Sequence, residues 1–554
     1  SCTARGPSCE GNHTTNEMRG DIAENGVSEP RVVTLPFGGP PLVRAASDGA
    51  TPADWYERAP RTPAEWASRA RAIMAVATVR DWRASLAPAF AAQGLAAARL
   101  DRSAGGRGVV VTTGQQPGLF GGPVYTWSKA LSALAVADSI ERETGIPAAP
   151  VFWAATYDAD FAESSASYVI LNGTLTKLQL PPPERPDTAM RDTPLGDAAP
   201  LLRLLEQACG SAVKHDALDA VRAAYEPGET IGGAYVSLLR AVLEPLGIAV
   251  LDAGHPAVRR ASRPLLAHAL DGAQIVDDAL TAREAELRAG GFEPAVAHLR
   301  GLSTVFRYAD RTRTRIPIAG ASPVDADVEL EPNVILRPVA ERAIMPAIAY
   351  MGGPGEVAYF AQSTAIAQAL GAATPVVLAR WSGMIIEPHV QRLLARHHLA
   401  PDDLRDPHAA ESRLARAQLP EAVRSALAQY AAGATSLNDA LRRALASDGA
   451  SPLVPDAVLD GVRNNVAYRL ERLERRIVAG AKRKQEATMR DIAIARASLF
   501  PIGKPQERVL NFVPMLARHG QPLLDMMRAR ANEHASSLLA GGVTPSNERV
   551  AGPR

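Results

Sequence analysis

The stretch Val109-Val-Val-Thr-Thr-Gly-Gln-Gln-Pro-Gly-Leu-Phe-Gly-Gly-Pro-Val-Tyr-Thr-Trp-Ser-Lys129 decides the fold. Its β-branched, apolar start reads as a buried strand. The strand breaks into a loop holding Gly114, Gly118, Gly121 and Gly122, and from Trp127 to Ala137 the pattern reads as a helix. Strand, glycine-rich loop and helix is how an α/β protein presents backbone N–H groups to an anionic ligand at a helix N-terminus. The spacing is neither GxGxxG nor a Walker loop, so those nucleotide fingerprints do not apply.

A second unit follows: the apolar run Ala149–Thr156 leads into Tyr157-Asp-Ala-Asp-Phe-Ala-Glu163. With the helix between them, the two runs make a βαβ unit, which implies parallel, right-handed pairing. Gly247–Asp252 reads as another buried strand, followed by a helix over 256–290, and Ala373–Arg380 as a further short strand. Residues 50–100 and 200–246 carry helical patterning, while 172–200 is Pro-rich and reads as an irregular surface insertion. Strand signals stop after 380. Residues 387–500 read as helical, broken near Asp448–Pro455. Within them Val466, Leu470, Leu473 and Ile477 recur at coiled-coil spacing, which suits a two-helix antiparallel hairpin as well as a long coiled coil. The segment from Pro505 to Asn511 then reads as the chain returning to the core. The expected organisation is a disordered tail over 1–30, an α/β core over 31–386, a helical arm over 387–500 and a C-terminal return over 501–545.

Composition bounds the function. A chain of 554 residues is too long for one compact core, so two or more domains are expected. Lys and Arg number 60 against 59 Asp and Glu, which argues against a nucleic-acid or membrane-surface partner. The three cysteines (Cys2, Cys9 and Cys209) form no CxxC, so neither a disulfide framework nor a zinc site follows. No apolar run is long enough for a membrane span, and residues 1–30, whose first Met is Met18, carry no signal-peptide core. A cytoplasmic protein is the expectation. No His pair has metal-ligand spacing, so no tightly bound metal is expected.

The chemistry-bearing residues cluster around these strand ends. In an open parallel sheet, ligands bind at the carboxyl ends of strands, so the Gly114-Gln-Gln loop and the acids Asp158, Asp160 and Glu163 are expected to face one pocket. Such acids could bind an amine, hold Mg²⁺ with a nucleotide or act as general base; an Asp there could equally cap a helix. Gln115 and Gln116 suit a polyhydroxylated or amide-bearing ligand. Lys129 could reach a carboxylate or phosphate. Gly352, Gly353 and Gly355 around Pro354 make a turn that opens a helix, with Glu356 in its first turn, where the helix dipole favours an acid. Arg337 and Arg380 each end a strand-like run, and Arg suits bidentate carboxylate binding.

Five segments, in order, resemble the bacillithiol-biosynthesis cysteine-adding enzymes, the BshC family: Gly114–Tyr125, Phe152–Phe161, Asn333–Pro338, Gly353–Tyr359 and Pro505–Arg508. The resemblance spans roughly residues 50–530. It implies a Rossmann-like α/β core with inserted segments and a C-terminal helical coiled-coil arm that mediates homodimerisation. It also implies a ligase that joins L-cysteine to glucosaminyl-malate through an amide. Because amide formation from a free carboxylate is uphill in water, ATP is the expected source of activation. On that reading Asp158, Asp160 and Glu163 are catalytic candidates, and Gly114, Gln115, Gln116, Tyr125, Lys129, Arg337, Gly353, Glu356, Tyr359 and Arg380 contact substrate. This chain departs from the family pattern at Ala159 and Ser128, where the family carries His, and at Gly121, where it carries Thr. Those departures support an alternative: a repurposed or non-catalytic homologue binding a related metabolite.

Overall fold

The computed structural model describes residues 28–76, 80–211, 213–319, 325, 327–446 and 454–540. The expected disordered tail therefore lies almost wholly outside the described residues, as does most of the helix break near Asp448–Pro455. The described chain forms two compact units: one from Pro30–Ile385 with the segment from Lys504 onward, the other from Ile386–Gly503.

The first unit is built on a five-stranded parallel sheet. Its spatial order is Val376–Ala379, Ala347–Gly352, Val109–Gln115, Ala148–Ala154, Ala249–Asp252. Pairing is in continuous register from Val109 opposite Ala148 to Gln115 opposite Ala154. Apolar side chains leave both faces: Val109, Val111 and Phe152 pack on one side, Val110, Val151 and Trp153 on the other. That two-sided burial is why these strands read as unbroken apolar runs rather than alternating ones. The helix after the first strand, Val124–Thr144, is buried along most of its length. It is sandwiched by the closing helix Gln521–Leu539, whose Leu523, Leu524 and Met527 join the same core.

The strand order reverses between Val109–Gln115 and Ala347–Gly352. In chain order these are the first and fourth strands of a Rossmann-like 3-2-1-4-5 sheet. The carboxyl-end crevice at such a reversal is where doubly wound folds bind ligands.

Several local expectations need correction. Residues 172–200 are irregular only over 180–198. Asn172-Gly173, both at positive φ, closes a hairpin of Ala166–Leu171 with Thr174–Gln179, and Thr188, Ala189, Met190 and Thr193 are buried. Asn-Gly between alternating runs is a strong hairpin signal; the prolines that follow masked it. The helix expected over 256–290 is two helices, Pro256–Asp271 and Ala273–Ala289, parted at Gly272. An antiparallel sheet of Leu302–Ala309, Thr312–Pro317 and Glu329–Pro332 had no counterpart in the sequence reading. Strands also do not stop at 380, since Gly383–Ile386 is one more. Arg337 does not end a strand but opens the helix Arg337–Ile344.

The second unit is helical. Its two longest helices, Glu421–Ala446 and Asp456–Lys484, pack against each other. Asn438 donates to the carbonyl of Leu459 at 3.1 Å, and Arg442 pairs with Asp460 at 2.5 Å. The pairing is antiparallel, as a hairpin requires. The expected seam is only partly covered within one chain. Val466, Leu470 and Ile477 are half-buried, Leu473 is 48% exposed, and the buried positions of that helix are Leu459 and Val478.

Candidate active site

The crevice at the strand reversal is a cavity of about 560 Å³. Its floor is an ion pair between the two helices that follow the first and fourth strands. Lys129 Nζ lies 2.5 Å from Glu356 Oε2, with side chains 4% and 16% exposed, so the pair is enclosed. Lys129 also donates to the carbonyl of Gly114 at 2.7 Å and to Gln115 Oε1 at 2.9 Å. Glu356 accepts the N–H of Gly353 at 2.7 Å and the hydroxyl of Tyr350. Burial alone would raise the Glu356 carboxyl, but the charges of Lys129 and Arg337 hold it below its ordinary value. Burial pulls the Lys129 ammonium down, and Glu356 opposes that. One proton acceptor thus organises the first turn of its own helix, the neighbouring helix and the glycine loop.

The two arginines expected to bind substrate carboxylates already hold protein carboxylates. Arg337 pairs with the buried Glu341 and donates to Tyr350 at 3.1 Å and Tyr359 at 2.5 Å. Arg380 makes a bidentate pair with Glu507 at 2.9 and 2.8 Å. Glu507 also accepts from Ser382 at 2.7 Å, while Gln506 exchanges two hydrogen bonds with the backbone of Ile385. The Pro505–Arg508 motif is therefore the clasp that closes the C-terminal segment onto the sheet edge. Both arginines still line the cavity, but their forks face inward.

On the wall, Gln115 Nε2 donates to the Tyr125 oxygen at 3.0 Å and to Glu163 Oε1 at 3.3 Å, and Tyr125 donates to Glu163 at 3.4 Å. Burial and the negative charges of Asp160 and Asp158 raise the Glu163 carboxyl above its ordinary value, although the residue keeps an open path to solvent. Burial and the charge of Glu163 push the Tyr125 phenol far up, so it remains a donor. A carboxyl raised above its ordinary value and hydrogen-bonded in a cleft has the properties of a general base.

Gly114, Gln115, Gln116, Tyr125, Lys129, Asp158, Glu163, Arg337, Gly353, Glu356, Tyr359 and Arg380 all line this cavity. Asp160 does not. It is exposed, and its carboxylate accepts the N–H of Glu163 at 3.0 Å as the cap of Phe161–Ser164. The cap reading of this acid is the one its geometry fits.

The cavity also holds residues that the sequence reading did not select: Tyr157, Phe306, Arg313, Arg315, Asn333 and Arg508. Arg313 stacks on Phe306 at 3.9 Å and lies 3.7 Å from Asp158 and 3.3 Å from Glu331. Arg315 stacks on the same ring at 4.8 Å. Among the described residues it has no carboxylate partner, and both burial and the charge of Arg313 disfavour its cationic form. A signal existed in Thr-Arg-Thr-Arg over 312–315, where alternation puts both arginines on one face of a strand. Of the six cationic side chains on the cavity lining, Arg315 and Arg508 have no carboxylate partner among the described residues, and these two favour an anionic ligand.

The departures at 128 and 159 fall outside the cavity lining: Ser128 is fully buried with its hydroxyl on the carbonyl of Val124. The departure at Gly121 has a steric reason. Gly121 stands at φ +83°, and a Cβ there would lie 2.9 Å from the ring of Trp127. Gly114 is similarly constrained, since a Cβ would lie 3.0 Å from the carbonyl of Trp153.

Comparison with known proteins agrees with this architecture. Residues 86–324 and 324–381 match the family description "Bacillithiol biosynthesis BshC, N-terminal Rossmann-like domain". Residues 383–537 match "Bacillithiol biosynthesis BshC, C-terminal coiled-coil domain". A relative from Solibacter usitatus is 31% identical over 470 residues, covering 82% of this chain and 88% of its own. One from Koribacter versatilis is 31% identical over 75% of this chain and 81% of its own. One from Geobacillus thermodenitrificans is 26% identical over 80% and 86%. All three carry the name "Putative cysteine ligase BshC".

Proposed function

The chain belongs to the BshC family of bacillithiol biosynthesis, and on that premise we propose that it is a cysteine ligase that joins L-cysteine to glucosaminyl-malate as an amide. The observation that carries the reading is the cavity itself: an anion-favouring pocket at the strand reversal, with one hydrogen-bonded, raised carboxyl on its wall. Glu163 takes the proton of the attacking cysteine amine, held toward it by Gln115 and Tyr125. Asp158, lining the same wall, attracts the ammonium form of the incoming amine. Arg315 and Arg508 receive substrate carboxylates, since neither is committed to a protein carboxylate among the described residues. Lys129, Glu356 and Arg337 hold the two loops in position. ATP, when bound, supplies the activation that an amide bond formed from a free carboxylate needs. The arm, whose Tyr430, Leu437, Leu441, Val462 and Leu473 are exposed, pairs two copies into a homodimer by covering those side chains.

The deciding experiment incubates the purified chain with glucosaminyl-malate, cysteine and ATP and follows the thiol product by mass spectrometry. Product that requires all three supports the ligase. Binding of glucosaminyl-malate with no product moves the reading to a metabolite-binding homologue, the alternative that Ala159 and Ser128 favour.

A further inference from the structure

The three-stranded sheet that brings Arg313 and Arg315 to the cavity has an ordered face. Strand register sets Arg315, Phe306 and Glu331 in one row and Arg313, Tyr308 and Glu329 in the next, two residues along each strand. Residues two apart on a strand share a face. One face therefore carries two arginines at one edge, two aromatic rings in the middle and two glutamates at the other edge. Glu331 is 2% exposed and does not line the cavity. We propose that Glu331 is a positioning residue for the amine side of the site: it holds the Arg313 guanidinium off Asp158, so that this acid stays open to an incoming amine.

Arg313 is shared between two carboxylates. Its Nε lies 3.3 Å from Glu331 Oε2, and its Nη1 lies 3.7 Å from Asp158 Oδ1. Its Nη2 donates to the carbonyl of Pro332 at 2.8 Å, and its guanidinium carbon stands 3.9 Å from the centre of the Phe306 ring. One nitrogen and the stacked ring thus anchor the fork, and the two acids compete for the rest of it. Glu331 is nearer and enclosed, where attraction between charges is strongest. Asp158 keeps a third of its side chain in solvent, which screens its pull. Take away the Glu331 charge, and Asp158 is the one carboxylate left beside Arg313 among the described residues.

Glu331 is itself fixed from the far side. Arg191 pairs with it and with Glu329 at 3.5 Å, and stacks on Tyr308 at 4.2 Å. The N–H groups of Met190 and Arg191 donate to the carbonyls of Asp158 and Thr156, both at 2.8 Å. The loop that carries Asp158 and the strand that carries Arg313 are therefore tied through one buried carboxylate. Stability is a poor reason for that arrangement. Glu331 Oε2 and Arg313 Nε are buried and neither makes a hydrogen bond, and an enclosed ion pair of imperfect geometry does not repay its desolvation. What it supplies is a fixed separation between guanidinium and acid.

What the open acid receives rests on the ligase reading; the position of the guanidinium does not, and is read without turnover. A crystal structure of Glu331→Gln, which keeps the shape and removes the charge, should show Arg313 Nη1 hydrogen-bonded to Asp158. A guanidinium still 3.7 Å away or farther overturns the proposal. In the assay with glucosaminyl-malate, cysteine and ATP, the same variant should raise KM for cysteine by about tenfold, the worth of one charged hydrogen bond, with kcat and KM for glucosaminyl-malate nearly constant. Glu331→Gln/Arg313→Met should restore KM for cysteine, because the cation that covered Asp158 is gone. A Glu331 that only stabilised the fold would lower Tm and kcat together, with no rescue by the second substitution; that result, or an unchanged KM for cysteine, overturns the role. Should Glu331→Gln not fold, Arg191→Met tests the same link with the opposite sign. Glu331 then draws Arg313 farther from Asp158, and KM for cysteine should fall; a rise counts against the proposal. A displaced guanidinium with no product from wild type would leave the positioning standing and sink the ligase; product with an unmoved guanidinium would do the reverse.

Discussion

The floor and the wall of the cavity use the same residue types in opposite ways. On the floor every charge is committed: Lys129 to Glu356, Arg337 to Glu341, Arg380 to Glu507. On the wall Arg315 and Arg508 have no acidic partner among the described residues, and Glu163 answers only to Gln115 and Tyr125. The difference follows from solvent. A charge taken out of water must be repaid by a partner at once. A charge that still sees water can wait for a ligand to supply one. Enclosed ions therefore define the shape of the site, and half-open ions define what enters it.

The largest effect should come from breaking the floor. Glu356→Ala leaves Lys129 enclosed without its carboxylate, while Arg337 keeps Glu341, and should cost about 3–5 kcal/mol of stability, read from chemical denaturation. Because the Glu356 carboxyl is held below its ordinary value, its stabilising contribution is present above that ordinary value and is lost as pH falls through the depressed one. A variant as stable as wild type would show that the pair is dispensable and would erase the distinction between floor and wall.

On the wall, Glu163→Gln should cut turnover by about 10²–10⁴-fold, the usual worth of a general base, while leaving the denaturation curve in place. In wild type the raised carboxyl must be ionised to accept a proton. Activity should therefore fall on the acid side at a higher pH than an ordinary carboxylate would set, and Glu163→Gln should abolish that limb. Equal acid limbs in the two proteins would remove Glu163 from the chemistry.

Smaller still, Arg315→Ala should raise KM for glucosaminyl-malate by about ten- to a hundredfold, the worth of one charged hydrogen bond, with kcat nearly constant. A fall in kcat at constant KM would place Arg315 in the transition state instead. Asp160→Asn should have the least effect, since Asn caps a helix as well as Asp does. Its one signature should be a shift of the acid limb to lower pH, because removing that negative neighbour relieves Glu163. Loss of activity in Asp160→Asn would return this acid to the catalytic set.

The sequence alone determined the α/β core, the loop that opens the site and most of its lining. Those features depend on neighbours a few residues apart: an apolar run, four glycines and a helix start. The Gly114–Tyr125 and Gly353–Tyr359 segments carried their positions within themselves. Only the tertiary structure decided which charges are free. Nothing near Arg380 in the chain announces Glu507, which is 127 residues away; Glu341 stands at helical spacing from Arg337, but nothing near Arg337 announces the two tyrosines, 13 and 22 residues on, that share its fork. Arg313 and Arg315 were legible as a strand pair but not as cavity residues, because their strand reaches the site from a separate sheet. Asp158 and Asp160 look alike in sequence, two residues apart; a half-turn of backbone puts one on the cavity wall and leaves the other capping a four-residue helix in solvent. Local pattern sets backbone shape, whereas the partner of a charge is whatever the fold brings within a few ångströms of it.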